Sequence, residues 1–140
     1  MKRAVLGALV TLSLVACHKS IPAGTYSGTY VGMYRTTVDG KGSNLPQSGT
    51  VDVVVEGSGS SFTVHFQQCA LAAEGTSKGV AIHGQKCTLD IAGKPTLIEN
   101  VDGTVTYDGK SDLKLVLTGK GPGSADPENW SMSFTGIKKK

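Results

Sequence analysis

From residue 25 onward, apolar and polar side chains alternate with the two-residue period of a half-buried strand, and no helical apolar period of useful length appears. The alternation is clearest at residues 50–56 (TVDVVVE), 61–68 (SFTVHFQQ) and 112–118 (DLKLVLT). Val51, Val53 and Val55 share one face; so do Phe62, Val64 and Phe66, and Leu113, Leu115 and Leu117. The Gly57-Ser58-Gly59-Ser60 turn joins the first two runs into a predicted hairpin. Residues 25–38 put Tyr26, Gly28, Tyr30, Gly32 and Tyr34 on one face and Val31 and Met33 on the other. Short strands are expected at 79–83, at 86–91 with Cys87, Leu89 and Ile91 together, and at 130–134 with Trp130, Met132 and Phe134 together. Residues 96–107 hold one long or two short strands, bulged near Asp102-Gly103.

The connecting stretches differ in length. Asp108-Gly109 is a tight-turn signal. Residues 39–48 read as a long polar turn and 119–128 as a loop with two prolines, in which Asp126-Pro127-Glu128 has the sequence of a capped helical turn. Around Leu71-Ala72-Ala73 the pattern fits a strand end or one helical turn, and the lysine tail is expected to fray after Ile137. Eight or nine short strands with regular turns give an all-β antiparallel meander. A closed barrel is preferred over a two-sheet sandwich, because closure removes the exposed edges that a secreted β-protein must manage.

The first residues follow a different rule. Lys2 and Arg3 precede an apolar run from Ala4 to Val15, which is the layout of a secretion signal. As a helix the run would be about 18 Å long, too short for a bilayer core of about 30 Å. Its ending, Leu14-Val15-Ala16-Cys17, resembles the lipobox of bacterial lipoproteins. The resemblance covers residues 1–17 only. It implies that residues 1–16 are removed, that Cys17 becomes the acylated first residue, and that 17–24 form a lipidated tether to the membrane. Several acyl chains on one residue hold a protein firmly where one holds it marginally. His18, standing where aspartate would mark inner-membrane retention in that family, leans the expected address towards the outer membrane, facing the periplasm.

Charge and cysteine count change the picture in two ways. The 124 residues left after processing carry 12 Lys and Arg against 11 Asp and Glu, and three of the lysines are Lys138, Lys139 and Lys140. The body at 25–137 is therefore one near-neutral domain with a basic tail at 138–140 and no basic stripe, and nucleic acid is not an expected partner. Of three cysteines, lipidation of Cys17 leaves Cys69 and Cys87 as a natural disulfide pair, with free thiols or metal ligation as the alternatives. No Cys-x-x-Cys spacing or nearby histidine pair supports a metal, and no cofactor is expected.

The residues that invite a chemical reading are few. The tyrosines Tyr26, Tyr30 and Tyr34 fit either a wall of rings lining a site for a lipid tail or sugar face, or rings packed over the intervening glycines. This stretch resembles the opening strand of small lipocalin-like barrels but lacks their Gly-x-Trp signature, so no site is carried over. Gly109-Lys110-Ser111 ends like a phosphate-binding loop, but the upstream glycine is misplaced and a strand follows where that motif needs a helix. His18, His65 and His83 are scattered, no serine sits in a nucleophile elbow, and Asn129-Trp130-Ser131 matches a glycosylation sequon by accident. No catalytic set is present, so an enzyme is not expected. Two functions remain. One is an envelope interaction or scaffold module acting through residues 39–48 and 119–128. The other is a barrel carrier of a small apolar ligand, with a cavity lined by residues such as Tyr30, Val53, Phe66 and Leu115.

Overall fold

The structure is a computed structural model that describes residues 21–58, 60–76 and 79–140. The signal and residues 17–20 of the tether, Cys17 included, lie outside the described residues. The rest is all-β. Eight strands run β1 (Gly24–Val38), β2 (Lys41–Ser58), β3 (Ser61–Phe66), β4 (Cys69–Thr76), β5 (Gly79–Ile91), β6 (Lys94–Tyr107), β7 (Asp112–Lys120) and β8 (Trp130–Lys138). Each pairs antiparallel with the next, and β8 returns to β1, closing the barrel.

The alternation in the sequence sets which residues enter that barrel. Val53, Val55, Phe62, Val64, Phe66, Leu113, Leu115, Leu117, Met132 and Phe134 all lie in one continuous core. Tyr26 and Tyr34 belong to it too, with Tyr30 packed against it. The closing ladder depends on glycine. Gly28 of β1 is paired with Gly136 of β8, and a Cβ on Gly28 would stand 2.7 Å from the Thr135 carbonyl carbon and closer still to its oxygen. A Cβ on Gly32 would stand 2.8 Å from the Ser131 carbonyl oxygen. The glycines between the tyrosines therefore let β8 press against β1.

Several connections differ from the sequence reading. The expected long turn at 39–48 is a two-residue turn, Asp39-Gly40, both residues with positive φ, and β2 starts at Lys41. Residues 41–49 carry no strand signal because only Leu45 among their inward positions is a large apolar side chain; their partner β1 supplies the ladder instead. Residues 69–76 form a strand and not a helical turn, with Leu71 and Ala73 inward. The two short strands expected at 79–91 are one, bent by register shifts between Ile82 and Cys87. Residues 94–107 likewise make a single strand, with a register shift between Glu99 and Asp102, where Asn100 has positive φ. No helical turn forms at 126–128, and β8 continues to Lys138, with the Lys139 N–H donating to the Thr25 carbonyl.

The barrel has a weak seam. Among the described residues β4 and β5 share three backbone pairs, Glu74 with Ala81, Gly75 with Val80 and Thr76 with Gly79. Beyond them the Gln85 side chain stands in for a peptide group. Its Nε2 donates to the Ala72 carbonyl at 2.6 Å and its Oε1 accepts the Ala72 N–H at 2.7 Å. Farther along, Cys69 and Cys87 stand at disulfide distance with Cα atoms 5.3 Å apart, both inside the core.

The two ends differ. Residues 21–24 enter at the end that also holds the 108–111 turn and the exit of β8. Ile21 is buried there, and the Pro22 carbonyl accepts the Tyr26 hydroxyl at 2.7 Å. The opposite, far end carries the two-residue turns 39–40, 67–68 and 92–93 and the longest connection, 121–129.

Candidate functional site

Of the four positions expected to line a cavity, Val53, Phe66 and Leu115 are buried in the core, and Tyr30 is partly buried against it. A void able to admit a ligand would leave its walls accessible to water, yet Val53 and Leu115 are 0 % exposed and Phe66 is 1 % exposed. The Tyr30 ring meets Phe66 edge-on with centroids 5.5 Å apart, and Tyr26 meets Tyr107 likewise at 6.2 Å. Burial, with a smaller contribution from Tyr107, pushes the Tyr26 phenol up to about 12. The Tyr34 hydroxyl donates to the Pro122 carbonyl, and burial raises its phenol as well. Thus Tyr26 and Tyr34 tie chain segments to the two ends of the barrel, whereas Tyr30 sits between them.

The far end is built by the path of residues 120–129. After Lys120 the chain leaves β6 and crosses to the exposed continuation of β1. Thr37 N–H donates to the Gly123 carbonyl at 2.6 Å, and Arg35 N–H donates to the Asn129 carbonyl at 2.8 Å. Asn129, 1 % exposed, fixes the crossing. Its Oδ1 accepts the Gly121 N–H at 2.7 Å, and its Nδ2 donates to the Arg35 carbonyl at 2.8 Å. That amide is committed inside the fold, so the sequon is closed to glycosylation in the folded chain. Gly121 is required where the chain turns, since a Cβ there would meet the Tyr34 ring at 2.6 Å.

The crossing leaves a gap. β6 pairs with β7 from Glu99 onward, so among the described residues its first part, 94–98, has a partner only on the β5 side. Between this open edge and residues 120–124 lies a surface depression of about 270 Å³ lined by Leu97, Glu99, Lys120, Gly121, Pro122 and Ser124. Leu97 is 46 % exposed, one of the few large apolar side chains turned to solvent. The Glu99 carboxylate pairs with Lys86 at 3.0 Å. Lys120 donates to two carbonyls, of Asp126 at 2.8 Å and Ser124 at 3.3 Å, and among the described residues no carboxylate pairs with it. The depression thus offers an apolar wall, one cationic group and a strand edge. The loop at 119–128 was singled out from the sequence; Leu97 was not, because the gap exists only through the departure of the chain after Lys120.

The remaining singled-out residues stay apart. His65 contacts Glu56 at 3.0 Å and His83 contacts Asp102 at 3.6 Å, both pairs on the outside of the barrel. Gly109-Lys110-Ser111 is a turn organised by Asp108, whose Oδ1 accepts the N–H groups of Lys110, Ser111 and Asp112 at 2.7–3.0 Å. Those bonds hold the Asp108 carboxyl below its ordinary range. Among the described residues, no three His, Cys, Asp or Glu side chains gather as metal ligands, and no helix is long and apolar enough to cross a membrane. Comparison with protein-family models, with curated proteins and with solved structures found no match to this chain.

Proposed function

We propose that this chain is a lipid-anchored protein of the bacterial envelope, outer-membrane and periplasm-facing, that acts without catalysis as an interaction or scaffold module through the far end of its barrel. The observation that carries the reading is the opposition of the two ends. The chain enters the barrel through Ile21, the first described residue, at one end, and the long connection 121–129 with its apolar depression lies at the other. A protein held at the near end presents the far end to the periplasm. The tight interior at Val53, Phe66 and Leu115 favours this reading over the carrier of a small apolar ligand.

The test has two independent arms. Fatty-acid labelling of the chain in a bacterial host reports the anchor; label that persists in Cys17→Ser defeats the lipoprotein part. A photo-crosslinking residue placed at Pro122, compared with one at Lys110 of the near end, reports the interaction face. Discrete protein adducts are expected at Pro122 and not at Lys110, and equal yields at both positions defeat the assignment of the far end.

A further inference from the structure

We infer that the depression at Leu97 binds an extended, acidic peptide segment of a partner protein, which adds as a strand to the open edge of β6. The inference rests on the interaction reading above and deepens it. Three observations converge on this edge.

The first is the direction of its backbone groups. Ile91 and Lys94 flank a two-residue turn, Ala92-Gly93, with positive φ at both residues, so they form the hydrogen-bonded closing pair of the hairpin. In an antiparallel ladder such pairs alternate with pairs whose N–H and C=O point the other way. Pro95 confirms the phase: having no N–H, it belongs where the ladder asks for none. Leu97, two residues on, therefore turns both its N–H and its C=O away from β5 and towards the gap. The Pro95 carbonyl points the same way.

The second is the wall facing it. Had residues 121–123 continued β7, they would have covered these groups. Instead they are committed elsewhere: Gly121 to Asn129, Pro122 to Tyr34 and Gly123 to Thr37. The opening that results is bordered by Leu97 and Pro122, which suits an apolar side chain of an added strand.

The third is charge. Of the two charged residues lining the depression, Glu99 is neutralised by Lys86. An ammonium has three N–H donors, and Lys120 spends two of them on the carbonyls of Ser124 and Asp126. The third donor and the uncompensated charge suit a carboxylate of the partner segment.

The open edge of β2 at 41–52 is longer, but it has the protections of an edge meant to stay unpaired. Pro46 interrupts it midway, whereas Pro95 lies at the turn end of the β6 edge and leaves Leu97 beyond it.

The test uses phage-displayed random nine-residue peptides panned against the full chain in detergent, with the best binders then synthesised. Enrichment of peptides carrying Asp or Glu beside apolar residues is expected. Leu97→Pro removes the outward N–H while leaving the β5 ladder intact, and should weaken binding at least tenfold. Methylating the peptide's own N–H groups one at a time should weaken binding at alternate positions only, which requires no change in the protein. Replacing the peptide's acidic residue by its amide should weaken binding to the natural chain and have no effect on Lys120→Gln. Absence of acidic enrichment, or binding indifferent both to Leu97→Pro and to N-methylation, overturns the inference. Binders that respond only to replacement of residues 124–128 overturn strand addition while leaving the interaction reading intact. That reading falls separately, through the crosslinking at Pro122.

Discussion

Opening the seam between β4 and β5 is the sharpest test of how this barrel is held closed. The perturbation is Cys69→Ala together with Cys87→Ala. Seventeen residues lie between these positions, and in the chain-entropy model a bridge closing a loop of that size stabilises the fold by about 3 kcal/mol. The neighbouring support is small. Among the described residues, three backbone pairs and the two hydrogen bonds of Gln85 join the strands elsewhere. At about 1 kcal/mol per hydrogen bond, Gln85→Ala should cost about 1–2 kcal/mol, with water partly replacing the amide at the exposed Ala72. Urea unfolding gives the global change, and amide hydrogen exchange shows where it falls. Exchange should accelerate first at 69–73 and 85–91, while the β7–β8 and β8–β1 ladders keep the protection of the whole molecule. The two perturbations act on one seam, so their costs should not simply add. Seam amides as protected in the double-cysteine variant as those of β7, or a stability loss under about 1 kcal/mol, would refute the reasoning.

Three further outcomes are expected. Gly28→Ala drives a methyl into the backbone of Thr135 and Gly136, and should destabilise by about 3 kcal/mol or more in urea unfolding, whereas Gly42→Ala, with open space around it, should change stability by less than about 0.5 kcal/mol. Tyr34→Phe removes the bond to the Pro122 carbonyl, and should cost about 1 kcal/mol and speed proteolytic cutting within 121–128; unchanged cutting would show that the tyrosine does not hold that segment. Absorbance titration at 295 nm should find a phenol near 12 that disappears in Tyr26→Phe. Because the folded value lies above the ordinary 10, the stability tied to that proton is complete below about pH 10 and is lost as pH rises towards about 12, so the unfolding midpoint should fall across that window and be flatter there in Tyr26→Phe.

The sequence made the barrel legible wherever packing demands a strict period of two. Val51–Val55, Phe62–Phe66 and Leu113–Leu117 alternate because one face of each strand meets the core and the other meets water. Where another force holds the strand, the signal vanished. The start of β2 is paired along one edge only and carries few inward apolar groups, so its polar residues read as a turn. The middle of β5 breaks register with β6 around Gly84, whose φ is positive, and Gln85 bonds to β4 through its side chain, a role that no periodicity encodes. The tyrosines were placed on the correct face, but whether they met a ligand or each other depended on the strands across the barrel. The far-end depression was hidden for the same reason: Leu97 and Pro122 are 25 positions apart, and only the bond network around Asn129 brings them to one gap.

The ladder between β1 and β8 joins the first strand of the domain to its last. Until residues 130–138 have been synthesised, β1 has an open edge and the core lacks Trp130, Met132 and Phe134. No shorter product of the ribosome can complete this fold. For a polypeptide destined to thread an export channel, that delay is useful. Under the export that we propose, the chain would stay pliable during the passage and lock shut on the side where its cysteines can be oxidised.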